Sequence, residues 1–240
     1  MSLLSKILDF FIQRNEKSKR DDLLFDNQKR FLSGFDNLLH HSPAKAANVV
    51  KFLANTIQGQ LFSRAYFYDR GDQNYIGWVQ HSILPGNDRK SQEVTLEVNI
   101  KDTPVVSCIW NYDRLFSCLL GIGGSSGNPF DGKKNENNIS AEFLLPLNFV
   151  IVTNGNHSTN SAIINNEGAL KIKNVVQMDS ALEKYYFDGI HYREIESNRK
   201  IHDDFFLQAS KPILYEFGLL FEIARIYAGN KTSIRCRNSE

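Results

Sequence analysis

The stretch Phe149-Val150-Ile151-Val152-Thr153-Asn154-Gly155-Asn156-His157-Ser158 leaves this chain few ways to fold. Its β-branched apolar run predicts a buried strand. The run stops at a Gly flanked by two Asn, where the backbone can turn sharply. His-Ser-Thr and the short Ala162-Ile163-Ile164 segment then open a helix. The prediction is strand, tight turn and helix start, with a polar turn held at the end of a buried strand. Ser158 and Thr159 are expected to cap that helix while its first N–H groups stay open to an anion. His157 beside them could donate to a phosphate oxygen or act as general acid or base near neutral pH.

Length and charge set what surrounds this turn. A chain of 240 residues can bury a full core as one large domain or two small ones, and 42% hydrophobic residues argue against disorder. The net charge of +1 provides no global field for nucleic acid or acidic surfaces. Cys108, Cys118 and Cys236 form no CxxC and no zinc spacing, so reduced structural thiols in a cytoplasmic protein are expected. No apolar run reaches the ~20 residues of a membrane span. At the start, Leu3, Leu4, Ile7, Leu8 and Phe11 share one helical face, which fits docking on the body or on a protein partner. Peripheral membrane attachment is the alternative.

Along the chain, residues 1–62 read as a helical lobe, 63–230 as an α+β core holding the turn, and 231–240 as a basic tail. In the lobe, 23–39 predicts one or two helices with Gly34 as the weak point. Ser42 and Pro43 open a better helix with Ala46, Val49, Val50, Leu53 and Ile57 on one stripe. Ala65-Tyr66-Phe67-Tyr68 and Tyr75-Ile76-Gly77-Trp78-Val79 are aromatic and predict strands. Val94 to Ile100 alternates cleanly as a strand. Asn111 is expected to cap a helix facing inward through Leu115, Cys118 and Leu119. Gly121 to Asn138 is rich in Gly but lacks the Gly-Lys-Ser/Thr ending of a phosphate loop, so it predicts a mobile loop or lid. After Gly168, Leu170 to Met178 predicts a strand, 181–187 a short helix, and Ile190 to Ile195 a strand. A wide-faced buried helix closes the order from Ser210 and Pro212 to Gly229. This order describes α+β, or α/β with a small mixed sheet.

Val152-Thr153-Asn154-Gly155-Asn156-His157-Ser158, followed by Ala162-Ile163-Ile164, resembles the phosphate-binding turn of the ParB/sulfiredoxin-like superfamily. In that superfamily a strand delivers a Gly-x-His-Arg-type turn to a helix start, and the turn binds nucleotide phosphates. Its members include nucleotide-hydrolysing partition proteins, a sulfinic-acid reductase, a free-serine kinase and some DNases. The resemblance covers 143–178 and includes a Leu-x-Pro lead-in at Pro146. Ser158 stands where the family has Arg, which removes a bidentate phosphate partner. The signature is also similar to that of bacterial proteins carrying Asn-Gly-Asn-His-Ser.

These features together predict a phosphate-directed enzyme acting on nucleotide or nucleic acid, nuclease- or nucleotide hydrolase-like. Asn154, Gly155, Asn156, Ser158 and Thr159 would hold phosphate and His157 would act on it. Glu142, Asp188 and Arg193 are second candidates for completing the site, and Arg114 or Arg193 could replace the family's Arg. A divalent metal such as Mg²⁺ is compatible with this chemistry, and Asp188, His191 and Glu194 could supply ligands. His40 and His41 are adjacent, so their side chains diverge on a helix. The alternative is a non-catalytic interaction module that keeps a degenerate nucleotide-binding fold and binds a partner through its N-terminal helix.

Overall fold

The computed structural model describes residues 23–64, 75–86, 89–134, 137–201 and 211–229. The expectations for the N-terminal amphipathic segment, for Ala65 to Tyr68, for Ser210 and for the tail from Lys231 lie outside these residues.

Helix α1 covers 23–41 without a break at Gly34, whose missing side chain faces open space. Pro43 then opens α2 (Pro43–Arg64), its fixed φ suiting a first helical position. Ala46, Val50, Leu53 and Ile57 form the buried stripe that the sequence predicts. Tyr75 to Val79 is a correction: it is not a strand but the start of α3 (Tyr75–Ile83). The spacing of Val79 and Ile83, both fully buried, puts one apolar helical face on the core, and that outweighs local β propensity.

Strand β1 (Lys90–Asn99) and the short β2 (Val105–Ser107) precede α4 (Tyr112–Gly121), which is capped by Asn111 Oδ1 accepting from Arg114 N at 2.9 Å. There follow β3 (Ser140–Leu145), β4 (Phe149–Asn154), α5 (Asn156–Asn165) and β5 (Ala169–Gln177). The helix expected over 181–187 is α6 (Asp179–Lys184), and its last three residues instead form β6 (Tyr185–Phe187), paired with β7 (Tyr192–Glu194). Helix α7 (Tyr215–Tyr227) ends the described chain.

The sheet is five-stranded and mixed, in the order β1-β5-β3-β4-β2. β1 and β3 flank β5 in antiparallel and parallel pairing, while β4 runs antiparallel to β3 and parallel to β2. This is an α+β fold. One core joins α1, α2, α3 and α7 to one sheet face through Leu32, Ile57, Val79, Leu144, Ile151 and Phe217. The residues expected to form an N-terminal helical lobe share this core with the sheet. The opposite face packs Val105, Phe143, Val150, Val152 and Ile172 with Ala162 of α5 and Phe130 of the α4–β3 connection.

Alternate residues of β4 thus serve different cores, which fixes the strand's position and delivers Asn154 to the sheet's end. Lys51 of α2 braces the β1–β2 turn: its ammonium donates to the carbonyls of Ile100 (3.1 Å), Thr103 (3.2 Å) and Lys101. Desolvation lowers its pKa, partly opposed by Asp102. Lys51→Met keeps the apolar stem but strands these carbonyls. It is expected to cost about 1–2 kcal/mol, read as a lower Tm; an unchanged Tm would show that water replaces the ammonium.

Candidate functional site

The polar turn is built by one backbone conformation. Gly155 adopts φ 74° and ψ 26°, the left-handed region, and is itself the N-cap of α5. A Cβ there would lie 2.7 Å from Ile139 Cγ1 and 2.8 Å from Asn138 O, so the preceding chain closes directly over the glycine. The capping role expected of Ser158 and Thr159 is corrected: both lie inside the helix, and no side chain caps it. Thr159 is fully buried and returns its hydroxyl to Gly155 O at 3.0 Å, so it does not reach a ligand. The first hydrogen bond of α5 runs from Thr159 N to Gly155 O at 3.0 Å. The N–H groups of Asn156, His157 and Ser158 precede it and form the positive end of the helix.

A buried amide network fixes this first turn. Asn156 Oδ1 accepts from Ser107 Oγ (2.8 Å) and Cys108 N (3.0 Å). Asn160 Nδ2 donates to Asn156 O at 2.8 Å, and Gln58 Nε2 donates to Asn160 Oδ1 at 2.6 Å. Gln58 also pairs with both backbone groups of Ser107, as a neighbouring strand would, at 2.8 and 3.1 Å. Asn156 therefore positions the turn with its oxygen. Its Nδ2 is buried without a partner.

The turn opens into a cleft of about 560 Å³. Asn154, Gly155, Asn156, His157 and Ser158 line it, and Arg114 and Cys118 reach it from α4. Trp110 contacts His157 edge to face, with ring centroids 4.6 Å apart. His157 is 6% exposed, and its Nε2 is buried with no hydrogen-bond partner. Desolvation lowers the pKa of His157, the Arg114 guanidinium adds to that effect, and a backbone hydrogen bond at Asn111 opposes it. The ring is neutral at pH 7. Ser158 Oγ sits 3.8 Å from Cys118 Sγ.

The glycine-rich segment forms the outer wall. It folds into a short 3-10 turn at Gly124–Ser126, and Glu167 accepts from Gly124 N (3.1 Å) and Phe130 N (3.3 Å). Those bonds fasten the segment to the chain just past α5. Asn128, Asp131 and Asn138 of this region line the cleft. The sequence marks the segment as a loop near the site, but these three residues and Trp110 carry no spacing that singles them out.

The second candidates lie elsewhere. Glu142 shares the strand face of Leu144, in the helical core, and is held by Arg89 Nη1 and Gln80 Nε2 at 3.2 and 2.9 Å. Asp188 caps its own turn through Ile190 N (2.9 Å) and His191 N (2.7 Å) and pairs with Arg193. Arg193 also donates to Asn198 O at 2.9 Å. The β6–β7 hairpin thus uses Asp188 and Arg193 locally, and neither lines the cleft. His191 meets Lys200 at 3.4 Å and does not meet His157 in the cleft. Among the described residues no group of three or more His, Cys, Asp or Glu is arranged to hold a metal ion. No described helix is long and apolar enough to cross a membrane.

Fold and cleft define an α+β protein with a mixed sheet whose interior strand β4 ends at an uncapped helix start. The chain belongs to a family of unknown function (DUF6710), whose sequence profile matches residues 8–234. No curated protein and no solved structure matches it.

Proposed function

We propose that the protein is a phosphate-directed enzyme acting on a nucleotide or nucleic acid, with the start of α5 as its phosphate site. The observation that carries this is His157: a neutral imidazole, buried in the wall of a polar cleft, with Nε2 unpartnered beside open helix N–H groups. Buried polar atoms are ordinarily paired, so an orphan on a residue that lines the cleft supports a functional role for this imidazole. In hydrolysis, His157 would take a proton from water as the water oxygen bonds to phosphorus. The ester oxygen would leave as its P–O bond breaks and take that proton back from the imidazolium. The N–H groups of Asn156, His157 and Ser158, with Arg114, would hold the charged oxygens.

The likeness of this turn to the ParB/sulfiredoxin-like superfamily supports the same assignment. Arg114, brought by α4, would supply the guanidinium that Ser158 lacks. Arg193 is engaged with Asp188 and is set aside for that role. The exposed side chains of Phe116 and Leu120 on α4 and Ile164 on α5 favour the second reading, a non-catalytic interaction module.

The test is a melting series in inorganic phosphate with wild type and Arg114→Gln. A ligand of the folded state raises the wild-type Tm with concentration. Loss of one charge-assisted contact is expected to weaken phosphate about tenfold in the variant. No shift in either protein, or equal affinities, would sink the assignment of the cleft to phosphate.

A further inference from the structure

The charge in the cleft wall limits what it can hold. Among the described residues its charged side chains are Arg114 and Asp131, and His157 is neutral, so these side chains sum to zero. Arg114 and the N–H groups of α5 can balance one phosphate. A polynucleotide would need a track of cations along its backbone, and a triphosphate a clamp of several. Asp131 also opposes additional negative charge. Backbone N–H groups of Lys133 and Lys134 donate to its Oδ1 at 3.0 and 3.2 Å and hold the carboxylate ionised. Lys134 lies 3.7 Å from the other oxygen and the Lys133 charge also favours the ionised form; both lysines are exposed and neither lines the cleft.

The rest of the wall is uncharged and suited to a base and sugar. Asn138 and Asn154 present carboxamides, each with donors and an acceptor, the combination that pairs with a base edge. The half-buried Trp110 and the ring of Phe130 add apolar surface. A space of about 560 Å³ falls within the range for one small ligand. Two buried orphans, Asn156 Nδ2 and His157 Nε2, belong to the first two residues of α5, both of which line the cleft.

We propose that the cleft selects a mononucleotide: one phosphate monoester at the start of α5, with an uncharged nucleoside against Trp110, Asn138 and Asn154. This rests on the phosphate site proposed above and adds its substrate class. Asp131 is then a specificity residue that disfavours di- and triphosphates and polymers.

Calorimetric titration of the full chain tests it with the four ribonucleoside 5′-monophosphates, their nucleosides, ribose 5-phosphate, inorganic phosphate, ATP and a short single-stranded oligonucleotide. At least one monophosphate is expected to bind about tenfold or more tighter than phosphate, ribose 5-phosphate or its nucleoside. Asp131→Asn keeps an oxygen for the two turn N–H groups, and its melting curve reports folding. It is expected to raise affinity for ATP several-fold relative to the monophosphate. Tightest binding of ATP or of the oligonucleotide would overturn the proposal. So would equal affinity for ribose 5-phosphate and the mononucleotide, or an ATP preference unmoved by Asp131→Asn; phosphate binding in those results would leave the phosphate site standing. Failure of every phosphate compound to bind would overturn both.

Discussion

His157→Gln is expected to cut phosphate-ester turnover by about 10²–10⁴-fold, the usual range for a lost general base, while leaving the affinity for inorganic phosphate nearly unchanged. Gln retains a hydrogen-bonding side chain, and the helix N–H groups and Arg114 stay in place. The pH dependence gives the sharper measurement. Burial first, and Arg114 second, hold the imidazole below its usual 6.5, against the backbone hydrogen bond at Asn111. A base must be unprotonated, so the wild-type rate is flat above neutrality and falls as pH drops through the lowered value. Arg114→Gln removes one cause of the lowering, so that limb moves up towards 6.5. In His157→Gln it disappears.

Stability has a limb of the same sign. The unfolded chain binds a proton near 6.5 and the folded ring resists it, so stability falls with pH through that window down to the folded value. His191 is lowered too, by burial and then by Lys200. The stability limb therefore persists in His157→Gln while the rate limb does not. A variant whose rate falls at the wild-type pH, with undiminished turnover, would remove His157 from the chemistry.

The turn was legible because its signals are local. A β-branched run, one Gly and a cluster of polar residues specify strand, reversal and helix start within ten or so positions. The α+β class, the Asn111 cap and the buried last helix follow from similarly short patterns. What the sequence hid is long-range. Gln58 and Ser107 hold the turn from 49 residues apart, and Gln58 meets Asn160 across 102. Arg114 and Trp110 become site residues only because α4 packs beside α5. Glu142 looked eligible from its nearness in sequence to β4. Strand alternation turns it to the helical side, where Arg89 and Gln80 hold it. Tyr75 to Val79 misled because aromatic residues favour strands, whereas the burial of Val79 and Ile83 was decided by α7 and the shared core.

The assignment of the cap is the most instructive difference. Ser158 and Thr159 have the chemistry of N-caps, yet Gly155 takes that position because the chain must turn left-handed under Ile139. An uncapped start leaves the donors of α5 for something else. The structure is therefore organised around the one residue in the turn that has no side chain.

Gly155→Ala is accordingly expected to be severe. A left-handed backbone costs an L residue about 1–2 kcal/mol. The new Cβ also meets Ile139 Cγ1 at 2.7 Å and Asn138 O at 2.8 Å, where the second partner is backbone and cannot rotate away. Overpacking of this kind adds about 1–3 kcal/mol, so urea unfolding should show a loss of about 2–5 kcal/mol in all. The two contributions can be separated. Asn tolerates the left-handed region but carries the same Cβ, so Gly155→Asn should recover part of the loss and no more. Gly127 has φ 71° but nothing within 4 Å of its Cβ position, so Gly127→Asn should cost little. Because relief of the clash must move either the 138–139 backbone or the first turn of α5, phosphate affinity should fall with stability in both Gly155 variants and stay unchanged in Gly127→Asn. Wild-type stability in Gly155→Asn would mean that the chain does not close over the turn, and the wall of the cleft at Asn138 would have to be placed elsewhere.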